Sequence, residues 1–329
     1  MADAVFNLSG RVAMITGGAR GIGLACGRAL VRRGASVALI DLDGREVAEA
    51  AARLGTGSAI GLQADVTDAA AISRAIAAAG ERFGGVDVVV ANAGIAPRPA
   101  PVRRMAAEEW ERVVEVDLLG VYRTVRAGLE PVIARRGQLV LISSVYAFAN
   151  GSLASPYAVS KAGVEALGRA LRIELAPHGV GVSVAYFGWV DTRMVQRAFE
   201  QRAGQGEEEL LPGFLLRRIT PEAAGEALAR GIERRAPRVV APGWWAGVSA
   251  LRGLLNPLLD GAGTRSARVR GAMRRAEEAA GGGGEASTGG GASRVWGGGE
   301  ASWGGGASGA GGGGEASGGG GASGAAGTS

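Results

Sequence analysis

The residues best suited to chemistry in this chain are a tyrosine and a lysine four positions apart, Tyr157 and Lys161. At this spacing the phenol and the ammonium would be neighbours on one face of a helix. A cation beside a phenol favours the phenolate, so we expect the tyrosine pKa to fall from about 10 toward the working range of a general acid/base. Lys161 is the only lysine among 36 basic residues, and lysine differs from arginine in its compact charge and movable pKa. The pair predicts proton transfer, although the same spacing also occurs on plain helix surfaces.

A glycine-rich loop near the start of the chain predicts a phosphate site. The run Thr16 to Gly23 follows a short apolar segment and precedes a helical one. Glycines in this context permit a tight turn and close approach of the backbone to a pyrophosphate, while free N–H groups at the helix start face the anion. The candidate contacts of the loop are Gly17, Arg20, Gly21, Ile22 and Gly23.

An acidic residue, Asp41, stands at the end of the second predicted strand, 24 residues beyond Gly17. This is close to the spacing at which a carboxylate accepts hydrogen bonds from the adenosine ribose of a dinucleotide. Because a carboxylate repels a 2′-phosphate, Asp41 favours NAD over NADP. Arg20 and Arg45 lie nearby and keep NADP as an alternative, and a purely structural role for Asp41 is to cap the next helix.

A serine lies thirteen residues before Tyr157, at the end of the fifth predicted strand. Ligands of doubly wound sheets bind at the carboxyl edge, so Ser144 is placed to donate a hydrogen bond to a substrate oxygen. Capping of the strand end by Ser143 or Ser144 is the structural alternative.

Short apolar runs alternate with alanine-rich segments of helical period, which predicts repeated βαβ units and a single doubly wound α/β domain with a seven-stranded parallel sheet. The predicted strands are Val12 to Ile15, Val37 to Ile40, Ile60 to Gln63, Val86 to Ala91, Leu139 to Ser143, Val182 to Tyr186 and Val239 to Ala241. The predicted helices are Ile22 to Arg33, Arg45 to Leu54, Ala69 to Phe83, Glu108 to Ala134, Tyr157 to Ala176 and Pro221 to Arg234.

Composition divides the chain of 329 residues into three parts. Residues 1–243 form the predicted catalytic domain. Residues 244–280 form an apolar and then arginine-rich extension, which predicts either a helix packed on its own domain or dimer mate, or peripheral contact with a membrane. Residues 281–329 are a glycine-rich tail that is expected to be disordered, because it has too few large side chains to offset chain entropy.

Several classes of protein and site are not supported by the sequence. The net charge of +5 comes without a nucleic-acid motif. One cysteine, Cys26, allows no internal disulfide and suggests a reducing, cytoplasmic location, with no visible secretion signal. The single histidine, His178, argues against a histidine-rich metal site, so no metal is expected.

Taken together, these motifs resemble the short-chain dehydrogenase/reductase family over the first 245 or so residues. The resemblance implies that Ser144, Tyr157 and Lys161 are catalytic. It further implies cofactor contacts at Asp65 and Val66 for the adenine ring, at Asn92, Ala93 and Gly94 after the fourth strand, and at Thr192 for the nicotinamide carboxamide. Tyr157 and Lys161 are expected to contact the cofactor as well, Lys161 at the nicotinamide ribose. The resemblance also suggests a homodimer or homotetramer paired through the helices at Glu108 and Tyr157.

Two positions depart from the family pattern. Asp117 occupies the place of a catalytic asparagine that holds a water of the proton relay, and Phe187-Gly188 replaces a usual Pro-Gly. Ionised Asp117 cannot donate a hydrogen bond, but it would favour the ammonium of Lys161 and could offset the effect of that lysine on Tyr157. A structural role, bridging helix and strand, is the alternative for Asp117.

The function predicted from these features is an oxidoreductase that transfers hydride between NAD, or else NADP, and a small-molecule alcohol or ketone. Apolar residues between Thr192 and Thr220 predict a mobile lid and favour a lipophilic substrate; they are Met194, Phe199, Leu210, Leu211, Phe214, Leu215 and Leu216. The departures at Asp117 and Phe187 leave a second hypothesis, a non-catalytic dinucleotide-binding scaffold or redox sensor.

Overall fold

A computed structural model describes residues 5–202 and 217–282. Its sheet has seven parallel strands in the order β3-β2-β1-β4-β5-β6-β7, which confirms the predicted doubly wound α/β fold. The strands are β1 Val12–Thr16, β2 Ser36–Asp41, β3 Ala59–Gln63, β4 Val88–Ala91, β5 Gln138–Ser144, β6 Gly181–Phe187 and β7 Arg238–Ala241.

Helices cover both faces of the sheet and continue beyond it. They are α1 Gly21–Val31, α2 Gly44–Leu54, α3 Ala69–Phe83, α4 Ala107–Val114, α5 Gly120–Ala134, α6 Ser155–Glu174, α7 Arg193–Arg202, α8 Pro221–Glu233, α9 Trp245–Arg265 and α10 Ala267–Gly282. Several begin at a side-chain cap: Asp68 accepts from the Ala70 and Ala71 amides at the start of α3, and Thr220 accepts from the Ala223 amide at the start of α8.

The strands are apolar on both faces because each face is covered by helices. One core cluster joins alternate residues of β1 and β2, such as Ile15 and Leu39, to α1, α2 and α8. The other joins the intervening residues, such as Met14 and Ile40, to α3, α5 and α6. This packing fixes the carboxyl ends of the central strands side by side, where the candidate site lies.

The helix predicted from Glu108 to Ala134 is interrupted. A π-helical turn, Glu115–Leu119, separates α4 from α5. The turn carries Asp117, whose side chain is fully buried. Its Oδ1 accepts a hydrogen bond of 2.7 Å from the Ile95 amide in the segment after β4. A period-based prediction does not reveal such a turn, because one extra residue per turn barely changes the hydrophobic pattern.

The extension after β7 forms two helices, α9 and α10. Trp245, at the start of α9, packs against Phe148, with ring centroids 6.2 Å apart. Among the described residues, no helix combines the length and the apolar character needed to cross a bilayer. The lid residues Leu210 to Leu216 and the tail from residue 283 onward lie outside the described residues, as does the side chain of Phe199.

Candidate active site

The glycine loop forms a cradle between β1 and α1. Gly17 and Gly21 have positive φ angles of 64° and 56°, a conformation that glycine adopts without penalty. A Cβ on Gly23 would lie only 2.2 Å from the Gly17 carbonyl oxygen, so this position has no room for a side chain. The first turn of α1 has no side-chain cap, which leaves its N–H groups available to an anion. These features fit a dinucleotide pyrophosphate.

Asn92, at the end of β4, holds this cradle in place. Its Nδ2 donates to the carbonyl oxygens of Thr16 at 2.9 Å and Gly17 at 3.0 Å. Its amide donates to Thr16 Oγ1 at 3.1 Å. Asn92 is therefore a positioning residue for the loop as well as a neighbour of the cavity.

Asp41 stands at the end of β2 and faces the glycine loop. Its Oδ2 accepts from the Ala19 amide at 3.0 Å, and its Oδ1 accepts from the Leu42 amide at 2.9 Å. The cap of α2 is Asp43, whose side chain accepts from the Glu46 amide. Helix capping is thus not the role of Asp41.

Tyr157 and Lys161 lie on the cavity side of α6. The Lys161 Nζ is 5.3 Å from the centroid of the Tyr157 ring. The same Nζ lies 3.2 Å from Asp117 Oδ2 and donates to the Ile142 carbonyl oxygen at 3.3 Å. Lys161 is 3% exposed and Asp117 is 0% exposed, so this ion pair is shielded from bulk water.

Ser143 and Ser144, between which the sequence left the structural role open, both line the cavity. Ser143 Oγ donates to the Lys161 carbonyl oxygen at 2.8 Å and so ties β5 to α6. Ser144 Oγ accepts from the Tyr146 amide at 3.3 Å and donates to the Phe187 carbonyl oxygen at 3.4 Å. Both serines therefore have structural hydrogen bonds, and the catalytic role of Ser144 stays a prediction.

The expected fall in the Tyr157 pKa is wrong. Loss of contact with water raises the pKa of Tyr157, and this effect outweighs the lowering by Lys161; Asp117 raises it further, while a hydrogen bond with Ser144 lowers it. Burial also raises the pKa of Asp117, against the opposing effects of Lys161 and the Ile95 amide. For Lys161, burial lowers the pKa, but Asp117 and Tyr157 more than compensate, so the group remains an ammonium.

A cavity of about 520 Å³ runs along this edge of the sheet. Of the catalytic and cofactor-contact residues named from the sequence, all line it except Gly23, which lies behind Gly17. The lining members are Gly17, Arg20, Gly21, Ile22, Asp41, Asp65, Val66, Asn92, Ala93, Gly94, Asp117, Ser144, Tyr157, Lys161 and Thr192. Residues far apart in sequence therefore share one cleft.

The structure adds residues that sequence reasoning missed. Glu46 forms ion pairs with Arg20 at 3.0 Å and with Arg193 at 3.3 Å at the rim of the cavity. Tyr146 meets the Tyr157 ring edge-on at 5.7 Å and the Trp189 ring at 6.1 Å. No spacing rule singles out these side chains. The one signal was position, because Tyr146 follows the end of β5 and Trp189 follows the end of β6, and both strand ends flank the site.

Comparison with known proteins gives a consistent result. Residues 11–203 match the short chain dehydrogenase family. The chain is 36% identical over 187 residues to cis-4-hydroxycyclohexanecarboxylate dehydrogenase of Sinomonas cyclohexanicum, an alignment that covers 56% of this chain and 75% of that protein.

Solved structures show the same similarity. A 3-ketoacyl-(acyl-carrier-protein) reductase from Brucella melitensis complexed with NADH is 26% identical, with a TM-score of 0.64 over 71% of this chain and 97% of that one. Levodione reductase is 25% identical, with a TM-score of 0.67 over 72% and 98% of the two chains.

The glycine cradle, the match to the family and the agreement of the fold all lead to one assignment. The protein is an oxidoreductase that uses a nicotinamide cofactor, NAD(H) or NADP(H), to interconvert a hydroxyl and a ketone. The chain belongs to the short-chain dehydrogenase/reductase family.

Proposed function

We propose that Tyr157 is the acid/base of this oxidoreductase and that Lys161 and Ser144 assist it. The observation that carries the proposal is the position of Lys161 Nζ, 5.3 Å from the Tyr157 ring, in the same cavity as the glycine cradle. The bound cofactor supplies or accepts the hydride. During reduction the Tyr157 hydroxyl donates its proton to the developing alkoxide, and Ser144 Oγ donates a hydrogen bond to the same oxygen.

Asp117 is proposed to hold the lysine. Its Oδ1 is fixed by the Ile95 amide at 2.7 Å, so its Oδ2 faces Lys161 Nζ at 3.2 Å. The carboxylate thereby keeps Lys161 charged and in place while reducing the net effect of that charge on the phenol. The water-tethering role expected at this position stays a prediction. In this arrangement the neutral Tyr157 is the resting form, which suits it to act as an acid in ketone reduction.

NAD(H) is the proposed cofactor rather than NADP(H). Asp41 presents a carboxylate to the cavity where the adenosine ribose would lie. The nearby arginines that could bind a 2′-phosphate already have acidic partners: Arg20 and Arg193 are paired with Glu46, and Arg45 is paired with Glu49 at 3.0 Å. Binding a phosphate there would require these pairs to break.

The proposed substrate is a lipophilic cyclic alcohol or ketone. Tyr146 packs edge-on against both Tyr157 and Trp189, which places aromatic surface beside the acid/base. Ile95, Met194 and Val195 add apolar surface to the cavity wall. Aromatic and apolar surface beside the acid/base suits a lipophilic ring better than a polyhydroxylated chain.

An assembly of identical subunits is proposed through α4, α5 and α6. Tyr122 on α5 and Val159 on α6 are both about half exposed, as large apolar side chains at a subunit interface are in the isolated chain. The proposed assembly is a homodimer or homotetramer, and light scattering of the full chain tests it.

An activity screen tests the proposed function. The full chain is incubated with NADH or NADPH and with cyclohexanone-type, steroidal and linear ketones, and loss of the reduced-cofactor absorbance is followed. We expect oxidation of NADH with the cyclic ketones. Preferred turnover with NADPH would contradict the role of Asp41, and preference for linear substrates would contradict the cyclic class. Tight cofactor binding without turnover across the panel would favour the non-catalytic scaffold.

A further inference from the structure

Helix α9 turns a polar side toward the domain. Arg252 donates to both carboxylate oxygens of Glu165 on α6, at 2.8 and 2.9 Å. Asn256 Nδ2 donates to the Phe148 carbonyl oxygen at 3.0 Å, and Ser249 Oγ accepts from Arg238 at 2.6 Å. These contacts recur at the spacing of one helix face and add to the apolar packing of Trp245 and Val248 against the domain.

The opposite side of α9 is apolar and faces solvent. Leu251, Leu254, Leu258 and Leu259 are 56, 66, 62 and 62% exposed. The i, i+3 and i+7 spacing of Leu251, Leu254 and Leu258 places these three on one stripe, which we call the leucine stripe. Leu259, seven residues after Arg252, lies on the side of Arg252 instead. Between Trp245 and Leu259 the sequence has a single charged residue, Arg252, and it is directed inward to Glu165. A helix on a water-soluble domain normally has the reverse arrangement, and a contiguous exposed apolar surface marks an interaction site.

Positive charge follows the leucine stripe directly. Helices α9 and α10 together contain six arginines and three acidic residues. Glu277 is paired with Arg103 at 3.5 Å, and Asp260 accepts from Asn150 at 2.8 Å. Arg268, Arg274 and Arg275 are exposed and form no ion pair within the part of the chain that the structure describes. Glu278 is exposed as well, so α10, with four arginines and two glutamates, brings a net charge of +2 next to the apolar stripe.

We propose that the leucine stripe and the arginines of α10 form a docking surface for an anionic lipid bilayer, with α9 lying in the plane of the interface. Leucines enter the boundary of the acyl chains, and arginines meet the anionic headgroups. Two weak attractions of this kind act together in peripheral binding. A second copy of the chain fits this surface less well, because twofold pairing through it would bring two segments of net positive charge together.

The docking surface is connected to the substrate side of the cavity. Asn256 holds the Phe148 carbonyl in the loop that follows Ser144. A Cβ on Gly188, which lines the cavity, would lie 2.6 Å from Trp245 Nε1. The start of α9 thus packs directly behind the end of β6, so a bilayer beneath α9 would lie next to the loops that border the substrate site.

Vesicle sedimentation of the full chain tests this surface. Vesicles of phosphatidylcholine alone are compared with vesicles that also contain phosphatidylglycerol, at low and at high salt. We expect partitioning onto the anionic vesicles to be about tenfold stronger and to weaken with salt. The double substitution Leu254→Glu and Leu258→Glu should reduce binding to anionic vesicles by about tenfold or more, because both charges would enter the acyl boundary.

Matched variants separate this surface from general effects of charge or exposure. Val5→Glu alters an apolar side chain ahead of β1 that is 70% exposed and lies outside the proposed subunit interface, and it should bind vesicles like the wild type. Arg274→Gln with Arg275→Gln should weaken binding at low salt, whereas Arg53→Gln with Arg74→Gln, the same change of charge on α2 and α3, should not.

Three results would overturn the proposal. The first is a wild-type protein that does not bind anionic vesicles at low salt. The second is a leucine variant that binds vesicles as well as Val5→Glu does. The third is light scattering in which the leucine variant dissociates an assembly that Val5→Glu leaves intact, since this would assign the leucine stripe to a second copy of the chain.

Discussion

Helix α6 carries two ion pairs, one helical turn apart, that differ in almost every physical respect. Lys161 meets Asp117 at 3.2 Å beside the cavity, with both side chains nearly inaccessible. Glu165 accepts two hydrogen bonds from Arg252 of α9, and the arginine side chain is 34% exposed. Asp117 Oδ2 has no aligned hydrogen-bond donor among the described residues, whereas both oxygens of Glu165 are satisfied.

The difference separates a pair that is suited to chemistry from a pair that fastens an element. A bidentate arginine and carboxylate fix two elements in a defined geometry. A buried lysine and carboxylate with an unsatisfied oxygen are costly to maintain, and such cost is commonly found at functional sites. Substitutions at the Lys161–Asp117 pair should therefore affect turnover, and substitutions at the Glu165–Arg252 pair should affect the attachment of α9.

The largest effect is expected from Tyr157→Phe, which removes the proton donor beside the first ion pair. Turnover should fall about a thousandfold, in line with the usual contribution of a general acid/base, while cofactor affinity remains within about twofold. Steady-state kinetics and fluorescence titration with NADH measure the two quantities. Tyr122→Phe, at an exposed position on α5, is the control, and turnover of Tyr157→Phe close to that of this control would contradict the assignment.

Lys161→Arg breaks the first pair while keeping its charge. The guanidinium is larger and planar, and the site of Lys161 is 3% exposed, so Arg should displace Asp117 and misplace the cation relative to the phenol. We expect a loss of about a hundredfold in kcat/KM and weaker cofactor binding. Wild-type kinetics in this variant would show that the compact ammonium is not required.

Arg252→Lys is the corresponding change in the second pair. It keeps the charge but loses the two parallel hydrogen bonds to Glu165, which should destabilise the attachment of α9 by about 1 kcal/mol. Limited proteolysis should cleave the segment from Trp244 onward faster, with turnover per folded molecule little changed. The exposed pair of Arg45 and Glu49 provides the control, Arg45→Lys, and equal proteolysis of the two variants would mean that Arg252 does not fasten α9.

Asp117→Asn should change turnover at neutral pH the least, and it tests how the first ion pair acts on Tyr157. Asp117 raises the pKa of Tyr157, so removing its charge should lower that pKa. Alcohol oxidation requires the deprotonated phenol, so the rise of its kcat/KM with pH should occur at lower pH than in the wild type. Ketone reduction requires the protonated phenol, so the fall of its kcat/KM with rising pH should also begin at lower pH. Measurement of kcat/KM against pH in both directions tests this, and profiles that coincide with the wild type would remove Asp117 from the control of Tyr157.

Much of the cofactor side of the cavity could be predicted because its determinants are local. The glycines from Gly17 to Gly23 stand at positions of the turn where a Cβ would lie too close to neighbouring atoms. Asp41 is predicted at the sheet edge because it is the last residue of a strand. The helical spacing of Tyr157 and Lys161 likewise depends on neighbouring residues alone. Roles in catalysis remain predictions, but the positions of these residues at one sheet edge follow from the order of elements.

Other features depended on contacts between distant segments. The direction of the Tyr157 pKa was wrong because burial, the largest contribution, is a property of the packed site and not of the spacing to Lys161. Glu46 was missed because its two arginine partners, Arg20 and Arg193, come from elements far apart in sequence. Tyr146 and Trp189 were missed for the same reason.

The sequence by itself determined the alternation of strands and helices, the glycine cradle and the candidate acid/base, since hydrophobic period and local backbone freedom are written in consecutive residues. Only the tertiary structure decided that Asp117 would meet Lys161 in a buried ion pair and that α9 would bind the domain through Arg252 and leave its leucines outside. Hydrophobic period shows that a helix has an apolar face but not which side faces the protein, because that choice depends on the partners that the rest of the fold provides.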